Sequence, residues 1–132
     1  MENAGKTHFM YNGLAGSNFK EIADDIGETR GFNCETIVGS RLSYTLWDIG
    51  GSLSQRSLWP MYLKSIQSQI IIYMVNVNDS IERLRASKNL LLSLLSEVEL
   101  RDVKLLLLLN KRQNTQGSES WHENPFKRDQ LV

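Results

Sequence analysis

The feature that most constrains the fold is an acidic side chain that ends a predicted strand and directly precedes two glycines. In residues 41–46 apolar and polar side chains alternate, which predicts a strand with one buried face. Trp47 and Asp48 follow, and then Gly50 and Gly51. In phosphate-binding α/β folds an acid at this place faces a metal ion, and the glycines let the backbone approach a terminal phosphate. The alternative is a strand that ends in an ordinary Asp-x-Gly turn.

Composition limits the class of protein. The chain has 132 residues, which suits one domain or part of one, and its 15 basic and 15 acidic residues give no electrostatic reason to expect nucleic acid as a partner. Cys34 is the only cysteine, which excludes an intramolecular disulfide and suits a reducing compartment. The longest apolar run is too short to span a bilayer, and Met1-Glu2 lacks the Met-Gly pair that N-myristoylation needs. We therefore expect a cytoplasmic protein without a lipid anchor.

A second phosphate-binding signal opens the chain, where residues 3–7 read Asn-Ala-Gly-Lys-Thr. Gly-Lys-Thr is the end of a Walker A loop, in which backbone amides at a helix start hold phosphates, the lysine reaches the outer phosphates and the hydroxyl holds magnesium. The full motif also needs a glycine at the position of Met1 and a buried strand before it. Gly-Lys-Thr by itself therefore leaves coincidence open as an alternative.

The remaining elements predict an α/β chain. Residues 29–37 are joined by a turn to the strand that ends at Asp48, so the two strands form a hairpin. Residues 70–77 and 103–109 are typical of strands buried on both faces, and a helix over about 81–96 lies between them. Asn110 and Lys111 follow the last strand, so ligand groups gather at carboxyl ends of strands.

The end of the chain has a different character. Residues 114–132 are polar and lack periodicity, with Trp121 and Phe126 as isolated aromatic residues. We expect residues 1–113 to form the domain and residues 114–132 to be a disordered tail.

Three signals, taken in their order along the chain, resemble the Arf and Arf-like branch of the small GTPases. They are Asn-Ala-Gly-Lys-Thr, then Gly-Phe-Asn at residues 31–33 with Trp-Asp-x-Gly-Gly at residues 47–51, and finally Asn-Lys. The segments Leu-Trp-x-x-Tyr at residues 58–62 and Glu-Leu-Arg-Asp at residues 99–102 look like further parts of the same family. The resemblance covers about residues 2 to 113 and implies a P-loop small-GTPase fold that binds GTP or GDP with Mg²⁺.

The resemblance also implies roles for individual residues. Nucleotide contacts would come from the phosphate loop, the amide that senses the γ-phosphate and the guanine-binding motif: Asn3, Ala4, Gly5, Lys6, Thr7, Gly51, Asn110 and Lys111. Magnesium would be held by Thr7, Thr29 and Asp48, the last through water. Phe32, Trp47 and Tyr62 would form the aromatic patch for effectors, exchange factors or GTPase-activating proteins. Plain core burial is the alternative for these three.

Several positions depart from the family pattern. Ser52 stands where the family places a glutamine that orients the attacking water, and a serine hydroxyl is too short for that task, so hydrolysis should be weak or absent. Gln55 is nearby but three residues too late. Gln113 replaces the aspartate that binds guanine, which leaves at best a neutral hydrogen bond. Glu28 replaces a proline, and about five extra residues precede Thr29, which leaves its magnesium role open.

The fold itself is expected to be incomplete, because the leading central strand and the C-terminal strand and helix have no counterpart. The leading strand would bury several apolar side chains and supply on the order of 10 kcal/mol, which is comparable with the whole stability of a domain. We therefore expect a chain of marginal stability, as in a truncated or decayed copy of a longer protein.

Three functions compete at this stage. The first is a guanine-nucleotide switch with impaired hydrolysis, which the resemblance links to vesicle trafficking and membrane-associated signalling. The second is a non-catalytic interaction fragment that keeps the aromatic patch and binds regulators without nucleotide. The third is a product without function.

Overall fold

The computed structural model describes residues 2–14, 27–67, 69–110 and 125–126. The chain divides into two compact units, Met1–Pro60 and Met61–Val132. In chain order the elements are α1 (Lys6–His8), a π-helical segment (Phe9–Leu14), β1 (Phe32–Val38), β2 (Ser43–Ile49), α2 (Leu53–Arg56), α3 (Trp59–Ile66), β3 (Ile70–Asn76), α4 (Ile81–Leu95), a 3₁₀ turn (Val98–Leu100) and β4 (Lys104–Asn110). The described residues form two two-stranded sheets, β1-β2 and β3-β4, so the predicted α/β class is confirmed.

The first unit contains the predicted hairpin. Strands β1 and β2 are antiparallel, with register from Phe32 opposite Ile49 to Val38 opposite Ser43. The backbone N–H of Gly39 donates to the carbonyl of Leu42 at 3.0 Å and closes the connection between the strands. Because side chains alternate between the two faces of a strand, Trp47 and Asp48 point in opposite directions from β2.

The same unit begins with the helix that the Gly-Lys-Thr signal predicts. Gly5 caps α1 in the left-handed conformation, with φ 87°, which costs a glycine nothing and a side-chain-bearing residue up to 2 kcal/mol, roughly. The N–H of Phe9 donates to the Gly5 carbonyl at 2.9 Å, and the chain then continues as a π-helical segment. Met10 and Tyr11 of this segment are buried and anchor it.

The second unit contains the predicted strand, helix and strand. Strand β3 is parallel to β4, with Ile70 opposite Lys104 and Asn76 opposite Asn110. Helix α4 connects them and is capped at Ser80, whose hydroxyl accepts a hydrogen bond from the backbone N–H of Arg83 at 3.4 Å. Such a cap satisfies one of the amides that every helix start leaves unpaired. The core of the unit is a cluster of Tyr73, Val75, Leu84, Leu91 and Phe126.

The prediction that the two parallel strands are buried on both faces is only partly correct. Met74 and its neighbours at the centre of β3 are buried, but Ile70 is 60% exposed. Leu105, Leu106 and Leu109 of β4 are also exposed. Each strand has one neighbour within the described residues, and a sheet of two strands offers less cover than the parallel sheet that the apolar runs predict.

The interpretation of Phe126 as an isolated tail residue is wrong. Its side chain is 2% exposed and lies in the core cluster of the second unit. A single aromatic ring buries a large apolar area, and it needs no neighbouring periodicity to do so. The other residues of the predicted tail, except Pro125, lie outside the described part of the chain, so the domain boundary at residue 113 stays a prediction.

Candidate functional site

Three oxygen-bearing side chains that are distant in sequence meet in the first unit. The hydroxyl of Thr7 donates a short hydrogen bond to Oδ2 of Asp48. The hydroxyl of Thr29 lies 3.0 Å from that of Thr7 and donates to the same carboxylate oxygen at 3.3 Å. The three residues named as magnesium ligands are therefore brought together, and the extra residues before Thr29 do not prevent this.

The other oxygen of the Asp48 carboxylate, Oδ1, makes no hydrogen bond within this cluster. Asp48 is 5% exposed, and its Oδ1 has no hydrogen-bond partner among the described residues. A buried charged oxygen without a partner is costly, because the low local dielectric does not replace the water that it loses. This orphaned oxygen is the observation that fits a bound cation.

The donor set suits magnesium. Hydroxyl and carboxylate oxygens are hard ligands, and magnesium takes one or two carboxylates and completes its shell with water and phosphate. No group of three His, Cys, Asp or Glu side chains is placed to hold a metal ion within the part of the chain that the structure describes. The cluster instead offers two hydroxyls and one carboxylate.

Lys6 lies beside this cluster and is half-buried. Burial lowers the pKa of its ammonium below the ordinary 10.5, and Arg56 adds to the lowering, while attraction to the Asp48 carboxylate opposes it. A partly desolvated ammonium gains more from an anion than one in free solvent, since the local dielectric screens the charges less. The residue is therefore suited to phosphate binding.

The glycines after β2 are closely surrounded by other groups. The N–H of Gly50 donates to the carbonyl of Gly31 at 2.9 Å. A Cβ at position 50 would lie 2.5 Å from the Thr29 carbonyl oxygen, so only glycine fits this close to the backbone of Thr29. The Gly50 carbonyl accepts from the indole N–H of Trp59 at 2.9 Å, and the Gly51 carbonyl accepts from Nε of Arg56 at 3.1 Å.

Ser52 follows these glycines and is buried at 8% exposure. Its hydroxyl lies 3.2 Å from that of Ser54, within the same loop. The Ser52 hydroxyl therefore has neither the length nor the amide group of a glutamine side chain.

The aromatic residues predicted as a contact surface differ in exposure. Phe32 and Trp47 share one face of the hairpin, with ring centroids 5.0 Å apart and planes tilted by 45°. They are 44% and 39% exposed, so plain core burial is wrong for both. Tyr62 is half-buried on α3. The exposed pair is an apolar patch on the face opposite Asp48.

Of the residues predicted to recognise the base, only Asn110 lies within the described part of the chain. Asn110 ends β4 and is half-buried, and its carbonyl accepts from the N–H of Val77 at 3.0 Å. Lys111 and Gln113 lie outside the described residues, so the motif as a group has no described geometry.

Sequence reasoning did not assign two residues that the structure brings to this region. The amide of Asn33 donates to Oδ2 of Asp48 at 3.5 Å, and Gln55 accepts from the backbone N–H of Gly31 at 2.7 Å. Asn33 could have been found, because its alternation with Phe32 puts it on the opposite face, where Asp48 also lies. Gln55 carries no local signal of its contact.

A model of the ADP-ribosylation factor (Arf) family matches residues 1–126. The chain therefore belongs to the Arf family of GTP-binding small GTPases, which confirms the family inferred from the motifs. The family implies a P-loop GTPase fold, and the α/β elements and the Thr7, Thr29 and Asp48 cluster agree with it. The match extends beyond residue 113 and includes the buried Phe126. None of the described helices combines the length and the apolar character needed to cross a membrane.

Proposed function

We propose that this chain is a magnesium-dependent guanine-nucleotide switch of the Arf type with weak hydrolysis. The carrying observation is the convergence of Thr7, Thr29 and Asp48 beside the desolvated Lys6. The two hydroxyls and the orphaned carboxylate oxygen would hold magnesium, Asp48 through water, and Lys6 would bind the outer phosphates. Bound magnesium would neutralise charge on those phosphates. Family membership links such a switch to vesicle trafficking and membrane-associated signalling.

The direct test is titration of the full chain with a fluorescent GTP analogue, with and without magnesium. We expect saturable binding that tightens with magnesium. Lys104→Met is the matched control for Lys6→Met, because Lys104 is exposed at the start of β4. Loss of binding in Lys6→Met alone supports the proposal, and absence of saturable binding by the natural chain contradicts it.

Guanine recognition is proposed for Asn110 and Lys111 on family membership and on the position of Asn110 at a strand end. Gln113 removes the charge-assisted bond that an aspartate makes, worth roughly 1.5–3 kcal/mol. We expect guanine and adenine nucleotides to compete more equally than in a chain with aspartate. Gln113→Asp should restore a guanine preference of about tenfold. Equal preference before and after this change contradicts the assignment.

Weak hydrolysis is proposed from Ser52, whose short hydroxyl cannot orient an attacking water as a glutamine does. Phosphate release from pre-bound GTP in a single turnover measures it. A rate that equals that of a glutamine-bearing relative would contradict this part of the proposal.

A second function has its own observation, the exposed ring pair of Phe32 and Trp47. A non-catalytic interaction module would use this patch without nucleotide. Trp47→Ala tests it against Tyr44→Ala, an exposed aromatic change on the opposite face of the same strand. Partner binding that is unaffected by Trp47→Ala excludes the patch as the contact.

A further inference from the structure

We propose that Gln55 is a positioning residue that fixes the backbone of Thr29–Gly31 and thereby sets Thr29 against the magnesium site. Only the predicted effect on metal binding depends on the proposed function. The structural part of the proposal concerns the side chain of Gln55 and the backbone of Gly31. Gln55 lies on the short helix α2, after the glycines, and is half-buried.

The backbone of Gly31 is held at both its N–H and its carbonyl. Its N–H donates to Oε1 of Gln55 at 2.7 Å, and its carbonyl accepts from the N–H of Gly50 at 2.9 Å. These bonds act on the two peptide groups that flank the Gly31 α-carbon, so together they restrict its φ and ψ more than either bond alone would. The side chain of Gln55 therefore supplies one of the two described hydrogen bonds that hold the Gly31 backbone.

The stem of Gln55 also contacts this loop. A Cβ at Gly50 would lie 2.9 Å from Cγ of Gln55 and 2.5 Å from the carbonyl oxygen of Thr29. The Gln55 side chain and the Thr29 backbone thus both crowd the space that a side chain at Gly50 would occupy. Gln55 therefore lies close to the backbone of Thr29, the residue whose hydroxyl joins the cluster.

The direction of Gln55 is set by its helix. The carbonyl of Ser52 accepts from the N–H groups of Gln55 and Arg56, both at 3.1 Å, which turns the chain back toward the glycines. Arg56 in turn bonds the Gly51 carbonyl. Since the oxygen of Gln55 accepts the Gly31 amide, its role is to hold backbone and not to orient an attacking water.

The test separates the hydrogen bond from packing. Gln55→Met keeps an unbranched stem over Gly50 but loses the acceptor, whereas Gln55→Glu keeps an acceptor at the same reach. Gln69→Met is the matched control, because Gln69 is exposed and its described hydrogen bond uses only the backbone carbonyl.

The first readout needs no nucleotide. Amide hydrogen exchange of Gly31 in the full chain should become about two- to tenfold faster in Gln55→Met, and it should stay close to the natural rate in Gln55→Glu and Gln69→Met. An unchanged rate in Gln55→Met overturns the proposal, whether or not the chain binds nucleotide.

The second readout is the magnesium dependence of binding of a fluorescent GDP analogue. Gln55→Met should raise the magnesium concentration needed for half-maximal tightening by about two- to tenfold, leave binding without magnesium unchanged, and be rescued by Gln55→Glu. Equal weakening with and without magnesium would overturn the positioning role. Slower hydrolysis at unchanged magnesium dependence would do so as well. If the natural chain binds no nucleotide, the proposed function fails, and the exchange result still decides the structural part.

Discussion

Asp48 contributes to the site through both of its carboxylate oxygens. Oδ2 accepts hydrogen bonds from Thr7 and Thr29, whereas Oδ1 is buried without a protein partner among the described residues. The first oxygen organises the two hydroxyls, and the second is the atom that we propose for a cation. Asp48 thus accepts hydrogen bonds from protein hydroxyls with one oxygen, and in the proposed function the other oxygen would hold a cation.

Asp48→Asn should abolish most of the magnesium dependence of nucleotide binding. The amide keeps the shape of the carboxylate but loses its charge, so affinity in the presence of magnesium should fall about ten- to hundredfold. Nucleotide titration at high and low magnesium measures this. Asp102→Asn, at an exposed turn, is the control and should leave both affinities unchanged. Full magnesium dependence in Asp48→Asn would contradict the metal site.

Lys6 predicts a pH dependence of stability in the nucleotide-free chain. Burial lowers the pKa of its ammonium in the folded state below 10.5, so the unfolded chain binds more protons in that window and stability should rise as pH rises through it. Thermal melts from pH 7 to just below 10 measure this effect. Above the ordinary value of 10.0, the raised pKa of Tyr11, caused by burial and by Glu35, has the opposite effect.

The Lys6→Met variant should lose this rise in stability with pH. At pH 7 it should melt at a higher temperature than the natural chain, because no charged group is buried at this position. Lys104→Met, on an exposed residue, should leave the rise in place. A lower melting temperature for Lys6→Met at pH 7 would show that attraction to Asp48 outweighs burial.

At the scale of elements, helix α4 is attached to β3 by a polar contact within an apolar core. The hydroxyl of Tyr73 donates to the backbone carbonyl of Ser87 at 2.9 Å, and it lies 3.1 Å from the Ser87 hydroxyl. Both residues are buried, so these bonds satisfy polar groups that would otherwise be costly. They also set the position of the helix along the strand.

Tyr73→Phe should lower the free energy of unfolding by about 0.5–1.5 kcal/mol, because the hydrogen bonds of the Tyr73 hydroxyl to Ser87 are lost. Urea unfolding followed by circular dichroism measures the change. Tyr44→Phe removes an exposed hydroxyl that bonds the Leu14 carbonyl at 3.4 Å, so it should cost less than about 0.5 kcal/mol. Equal costs for the two variants would contradict the role of burial.

At the scale of the whole molecule, residues from distant parts of the sequence complete the core of the second unit. Phe126 packs with side chains of β3 and α4, although residues 111–124 separate it from the end of β4. The core of this unit is therefore not contained in the strand, helix and strand alone. Any chain that ends at residue 113 lacks one of its best buried side chains.

Phe126→Ala should destabilise the second unit by about 3–5 kcal/mol, which is a large share of the 5–15 kcal/mol typical of a domain. Hydrogen exchange of the β3 and β4 amides locates the effect. Phe32→Ala is the matched control, because Phe32 is 44% exposed and its loss should cost about 1 kcal/mol. Unchanged protection of β3 and β4 in Phe126→Ala would contradict this view of the core.

By itself, the sequence determined the elements and the family. Strand alternation and the periodicity of the helix are local signals, and the predicted hairpin and helix end within three residues of the observed bounds. The departures at Ser52 and Gln113 are likewise visible in the sequence alone, because a motif compares residue types at set spacings.

Only the tertiary structure decided which distant groups meet. It brought Thr29 to Thr7 across 22 residues, buried Phe126 in a core, and gave Gln55 its contact with Gly31. The physical reason is that periodicity and turn chemistry depend on near neighbours. Contacts between distant residues depend on strand register and packing, which sum over many weak interactions that no short segment encodes.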